Sequence, residues 1–124
     1  MNSQKLRNIL KENSLFSTIS GLTMSLLSGM VAEWLGIEPT WVIIAVGVGL
    51  LGFAASVYYT ATRESLQEKQ VKFIIVQDWL WVVGSAIILL LNPFGFSASG
   101  LWITGVVALI VAVFAIGQQR YLNV

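Results

Sequence analysis

The chain has no cysteine and no histidine, only two prolines, and few charges. The first two absences exclude disulfides, thiol redox chemistry, zinc fingers, His-ligated haem and any His-based catalytic triad. Charged residues make up 10% of the 124 positions, where a soluble domain carries about 25%. Hydrophobic residues make up 56%, so the chain cannot cover a water-facing surface. A net charge of +1 leaves no nucleic-acid footprint. The composition is that of an integral membrane protein, and the length suits a single domain over 1–124.

What is present is long apolar runs. Between Glu12 and Glu33 lie 20 residues without a charge, and between Glu38 and Arg63 lie 24. After Lys72 the only charge before Arg120 is Asp78. Both prolines fall where these runs are interrupted, Pro39 after Glu38 and Pro93 in the turn signal Asn92-Pro93-Phe94-Gly95. A helix needs about 20 apolar residues to cross the hydrocarbon core. The spacing therefore predicts four helices, over about 14–36, 41–62, 72–92 and 98–118.

Lys5, Arg7 and Lys11 precede the first of these; Arg63, Lys69 and Lys72 lie between the second and third; Arg120 follows the fourth. All the basic residues thus fall on one side, which the positive-inside rule makes cytoplasmic. The expected fold is all-α, a four-helix up-down-up-down bundle in the bacterial inner membrane, with both termini in the cytoplasm. Trp34, Trp41 and Trp102 would then sit at the outer interface. The basic N-terminus and first apolar run resemble a signal peptide. The run is too long for one, and Met30-Val31-Ala32-Glu33 is a poor cleavage site, so a retained helix is expected.

Gly47, Gly49 and Gly52 match G-x-G-x-x-G, with Glu68 near the position of the ribose-binding acid. They fall inside a charge-free helix, with no preceding strand and no loop to cradle a pyrophosphate. No nucleotide is expected from them, and no other cofactor. Small residues have a different use in lipid, where close backbone approach and interhelical hydrogen bonds hold helices together. At 100° per residue Ala45, Gly49, Gly52 and Ser56 share a stripe. On the first helix Ser14, Ser17, Thr18, Gly21 and Ser25 share a face, opposite Leu15, Phe16, Ile19, Leu22 and Leu26. Gly105, Ala108, Ala112 and Ala115 repeat the pattern on the last helix. The packing set expected is Gly21, Ser25, Gly49, Gly52, Ser56, Gly105 and Ala112. The hydroxyls of the first helix fit either packing or the lining of a pathway.

Asp78 lies six residues past Lys72, about 9 Å along a helix, and an ionisable group at that depth is a functional-site candidate by default. It shares a stripe with Trp81, Ser85 and Asn92. The facing stripes bring Ser14, Ser17, Thr18, Tyr59, Arg63 and Gln119 to its level, with Arg63 its expected cationic partner. The cluster either ties the helices together or forms a protonatable site. Glu33 and Glu38, alone at the outer edge, are no metal site.

The runs Asn13-Ser14-Leu15-Phe16-Ser17 with Ser20-Gly21, and Asp78-Trp79-Leu80-Trp81-Val82-Val83-Gly84-Ser85, resemble small bacterial four-helix membrane proteins with no assigned activity. The resemblance covers nearly the whole chain and implies that Asp78 and Trp81 belong to a recurring motif. Small multidrug-resistance transporters carry a Glu within their first helix, where this chain is hydroxyl-rich. The motifs of fluoride channels and the cysteines of quinone-linked thiol oxidases are not found. Without a nucleophile–base pair an enzyme is not expected. The sequence suggests a structural or interaction subunit packed through small-residue faces, with lipids and either a second copy or another membrane protein as partners. The alternative is a small oligomeric transporter or channel built on Asp78.

Overall fold

In the computed structural model, which describes residues 1–123, Val124 of the expected 1–124 domain lies outside the described residues. Five helices follow one another: α1 Ser3–Leu26, α2 Ser28–Leu35, α3 Thr40–Thr62, α4 Glu68–Leu91 and α5 Ala98–Asn123. Helices α3, α4 and α5 are each long and apolar enough to cross a membrane. The first pair passes that test only together, and it is bent by 97°.

The single first helix expected over 14–36 is therefore corrected twice. It begins at Ser3, because Leu6, Ile9, Leu10 and Asn13 recur at helical spacing among the charges and bury one face. The Asn2 side chain caps its start by accepting from the Lys5 N–H at 3.3 Å. It breaks at Leu27, just before Ser28-Gly29, a pairing at which helices kink. One turn earlier the Thr23 hydroxyl bonds back to the Ile19 carbonyl at 2.8 Å, which also loosens the helix.

Helix α1 packs chiefly along α3, α4 along α5, and α1 on α5 joins the two pairs. The α1–α3 pair is antiparallel, with Arg7 against Ala61 at one end and Gly21 against Gly47 further along. At that crossing the backbones touch: a Cβ on Gly21 would lie 2.8 Å from the Gly47 carbonyl oxygen. This is the close approach small residues permit, but it uses a different face of α3 from the one expected. Gly49, Gly52 and Ser56 are exposed, and a Cβ on either glycine would meet nothing within 4 Å. The buried face carries Ile43, Gly47, Ala54, Val57 and Ala61. Both stripes of α3 are small, and the buried one adds Ile43, in a cluster with Val31 and Ala32 of α2, and Val57, in a cluster with Leu6 and Leu10 of α1. Ser25 is half-buried beside Gly47, and its Oγ finds no partner. A Cβ on Gly105 would lie 3.9 Å from Leu89, in ordinary contact, and Ala112 is half-buried.

The end that carries the termini has its own apolar core, Leu6 and Leu10 against Val57, Ala61, Val71 and Ile74. Arg7 covers the last turn of α3 there, donating to the carbonyls of Ala61 at 2.7 Å and Glu64 at 3.1 Å. At the opposite end α2 lies across the bundle and is locked by its C-terminal carbonyls. The Ser97 N–H donates to Leu35 at 2.9 Å, and the Ser99 hydroxyl to Trp34 at 2.6 Å. Gly36 then turns the chain with φ +73°, and a Cβ there would lie 2.7 Å from that of Ser97. Replacing it tests the lock. Gly36→Ala is expected to lower stability by roughly 1–3 kcal/mol, read as a fall in melting temperature in detergent. Gly95→Ala, at φ +68° with open space around it, should cost less. Equal losses at both sites would show that the contact with Ser97 contributes nothing.

Candidate functional site

Asp78 sits where α1, α4 and α5 converge, 3% exposed. It is held by two amides. Asn13 Nδ2 donates to Asp78 Oδ2 at 2.9 Å, and Gln118 Nε2 donates to the same oxygen at 2.8 Å. Asn13 Nδ2 also donates to Gln118 Oε1 at 2.9 Å, closing a triangle across three helices. Ser17 Oγ extends it by donating to Asn13 Oδ1 at 3.4 Å. All four side chains are buried. Each hydrogen bond to the carboxylate is worth about 1.5–3 kcal/mol, yet neither amide supplies a charge to balance it.

Helical phase explains the convergence. Asn13 lies on the buried stripe Leu6, Leu10, Asn13, Ser17, Gly21 of α1, and Asp78 follows Val71, Ile74 and Ile75 on α4. On α5 the buried positions Ala108, Val111, Ala115, Gln118 and Leu122 recur every three or four residues. Gln118 therefore points inward, and Gln119, 100° further round, is exposed. The partner expected at Gln119 is in fact its neighbour. Asn13 falls one residue before the helix expected from 14, beside the charges of Lys11 and Glu12, where no charge-free run points to it.

Arg63 is not beside Asp78. Its guanidinium donates to Gln70 Oε1 at 3.3 Å and stands over the Tyr59 ring at 5.3 Å. The physical reason is position: Arg63 follows the last turn of α3 and pairs with the start of α4, a level below the triangle. Among the described residues the one ion pair is Lys72 with Glu68, so Asp78 has no cation. Ser14 is buried but donates across to the Ala54 carbonyl at 2.8 Å, and Thr18 back-bonds to the Ser14 carbonyl at 2.8 Å. Ser14 thus ties α1 to α3, the Thr18 bond stays within α1, and neither touches Asp78. Ser85, on the Asp78 stripe, is buried, and Trp81 is half-buried.

Trp81 and Asp78 share a cavity of about 260 Å³ in the middle of the helices. Ser17, Ser20 and Gln77 give its wall further polar groups; Phe16, Phe53 and Trp81 give it aromatic ones; no Lys or Arg reaches it. Oδ1, the second oxygen of Asp78, accepts no hydrogen bond from any described residue. Helices α3 and α4 hardly touch, and the cavity lies along that seam. Gly49 is both part of the cavity wall and exposed on the outside, so it marks the mouth. A second hollow of about 340 Å³ lies between the same helices, beside Tyr59, Thr60, Lys69 and Gln70.

Among the described residues no group of three or more acidic side chains is placed to hold a metal ion. What the arrangement can do chemically is accept a proton or a positive charge at Oδ1, beside aromatic rings. Compared with protein-family models, curated proteins and solved structures, the chain matches none of them.

Proposed function

We propose that this chain is a small transporter or channel subunit, with Asp78 as the intramembrane group that binds what is moved. In this reading the protein crosses the bacterial inner membrane four times, up-down-up-down, with α1 and α2 together forming the first passage. Both termini face the cytoplasm, where the positive-inside rule puts Lys5, Arg7, Arg63 and Arg120. Four helices enclose little space, so the working unit is an oligomer.

One observation carries the proposal: a buried acid without a cation, at the wall of a cavity, with one oxygen unused. A tether does not call for an acid. An amide at position 78 would join α1, α4 and α5 with a smaller desolvation cost than a carboxylate. Ionisable groups in membrane helices mark substrate or ion pathways as a rule. The second reading, a structural or interaction subunit, is favoured by the closed triangle of Asn13, Asp78 and Gln118. It uses Asp78 Oδ2 but leaves the cavity and Oδ1 without a role.

The two readings separate with one variant. Reconstituted in liposomes under an imposed membrane potential, the wild type should move protons, reported by a trapped pH-sensitive dye. Asp78→Asn should abolish that flux while its melting temperature stays within a few degrees of the wild type. Flux that survives Asp78→Asn, or a wild type without flux, would leave the structural reading in its place.

A further inference from the structure

We infer that the cavity at Asp78 binds a lipophilic organic cation, a small quaternary ammonium or protonated aromatic amine, which enters sideways from the lipid. The inference rests on the reading of Asp78 as a binding group and goes on to name the chemistry of what it binds.

Charge gives the first argument. Asp78 is the one ionisable side chain on the cavity wall, and no Lys or Arg offsets it. A ligand that restores neutrality there is a cation. The second argument is the rest of the wall. Phe16, Phe53 and Trp81 surround a compartment whose other large members are aliphatic. Aromatic rings attract a diffuse cation by their quadrupoles, most strongly where water is excluded, and aromatic cages are how quaternary ammonium groups are recognised. A small metal ion needs several oxygen ligands in place of its hydration shell. The wall offers Asp78 Oδ1 and scattered hydroxyls, with no further carboxylate.

Size and access narrow the class. About 260 Å³ is just below the range of about 300–1,000 Å³ typical of drug-sized ligand sites, so the ligand is small. The mouth is the seam between α3 and α4. On its wall stands Val46, exposed and apolar, and Gly49 keeps it open by having no side chain. A hydrated ion gains nothing from an entrance of that kind. An organic cation that already partitions into the bilayer meets it directly.

The test is equilibrium dialysis of benzyltrimethylammonium against the full chain in lipid nanodiscs, with empty nanodiscs subtracted. Saturable binding is expected. It should weaken at least tenfold for Asp78→Asn, and at least tenfold for Gly49→Leu, whose added side chain enters the mouth. Trp81→Leu serves in place of Gly49→Leu should that variant fail to fold. The neutral isostere neopentylbenzene should bind at least tenfold more weakly than the cation. Binding no greater than that of empty nanodiscs, equal affinity for the isostere, or full affinity in Asp78→Asn would each overturn the inference. So would displacement of the probe by an equal concentration of sodium or potassium, which would make this a site for a small inorganic ion. Proton flux that needs Asp78 but comes without benzyltrimethylammonium binding removes the ligand class alone. Flux that is indifferent to Asp78→Asn removes the underlying reading of the acid as well.

Discussion

Gln118→Leu should lower the stability of the protein by about 3 kcal/mol. Gln118 is 0% exposed and makes two of the three bonds of the triangle, one to Asp78 and one from Asn13. Leucine is similar in size, so little of the loss comes from packing. The loss comes from leaving a buried carboxylate one donor short and a buried amide one acceptor short, with only the Asn13–Asp78 bond of the triangle remaining. Thermal unfolding in detergent, followed by tryptophan fluorescence, measures it. The double variant Gln118→Leu with Asp78→Asn identifies the cause. Taking the charge away should recover part of the loss, so the two changes should fall short of additivity by about 1 kcal/mol or more. Strict additivity would mean that the acid and the amide act independently, and the triangle would lose its energetic meaning.

The second large effect is expected at the α1–α3 crossing. Gly21→Val places a branched side chain where a Cβ alone would lie 2.8 Å from the Gly47 carbonyl and 2.9 Å from Leu51. A side chain can turn away, but a backbone carbonyl inside a helix cannot, so the helices must separate along part of their contact. Overpacking of this kind costs about 1–3 kcal/mol, and occasionally more. Gly49→Val on the other face of α3 is the control, since nothing lies within 4 Å of a Cβ there. A fall in melting temperature at Gly21 with little change at Gly49 is the expected pattern. The reverse would mean that the open stripe, and not the crossing, holds the assembled protein together.

These two sites also show where the sequence speaks and where it is silent. Apolar runs between charges locate α3, α4 and α5 to within a few residues, because the length an apolar helix needs is set by the membrane. The depth of Asp78 and the inward face of Ser14, Ser17 and Gly21 follow from counting residues and from helical phase. Three features were harder to see. The start of α1 lies among Lys5, Arg7, Lys11 and Glu12, so a reading built on charge-free runs passes over the stripe of Leu6, Ile9 and Leu10. The choice of Gly47 over Gly49 depends on which of two small faces meets α1, and composition alone does not rank them. The pairing of Arg63 is a matter of level: opposite charges suggest Asp78 as its partner, but Gln70 and Tyr59 are nearer. The spacing of Ala108, Val111 and Ala115, extended by one more turn, reaches Gln118.

The bend at Leu27 has a consequence for the bilayer around the protein. After Glu12, α1 offers residues 13–26 before the chain turns aside by 97°. That is a length of about 21 Å, against a hydrocarbon slab of about 30 Å. Its neighbour α3 runs straight for 23 residues, or about 34 Å. One flank of the molecule is thus matched to an ordinary membrane and the other to a thinner one. In the four-pass arrangement proposed above, lipids beside α1 would have to shorten to cover the exposed Leu15, Ile19, Leu22 and Leu26. Such mismatch costs fractions of a kcal/mol per ångström and is enough to sort proteins between membranes. With that arrangement the protein would fit a thin bilayer on one side only, and would gather where the membrane is already compressed.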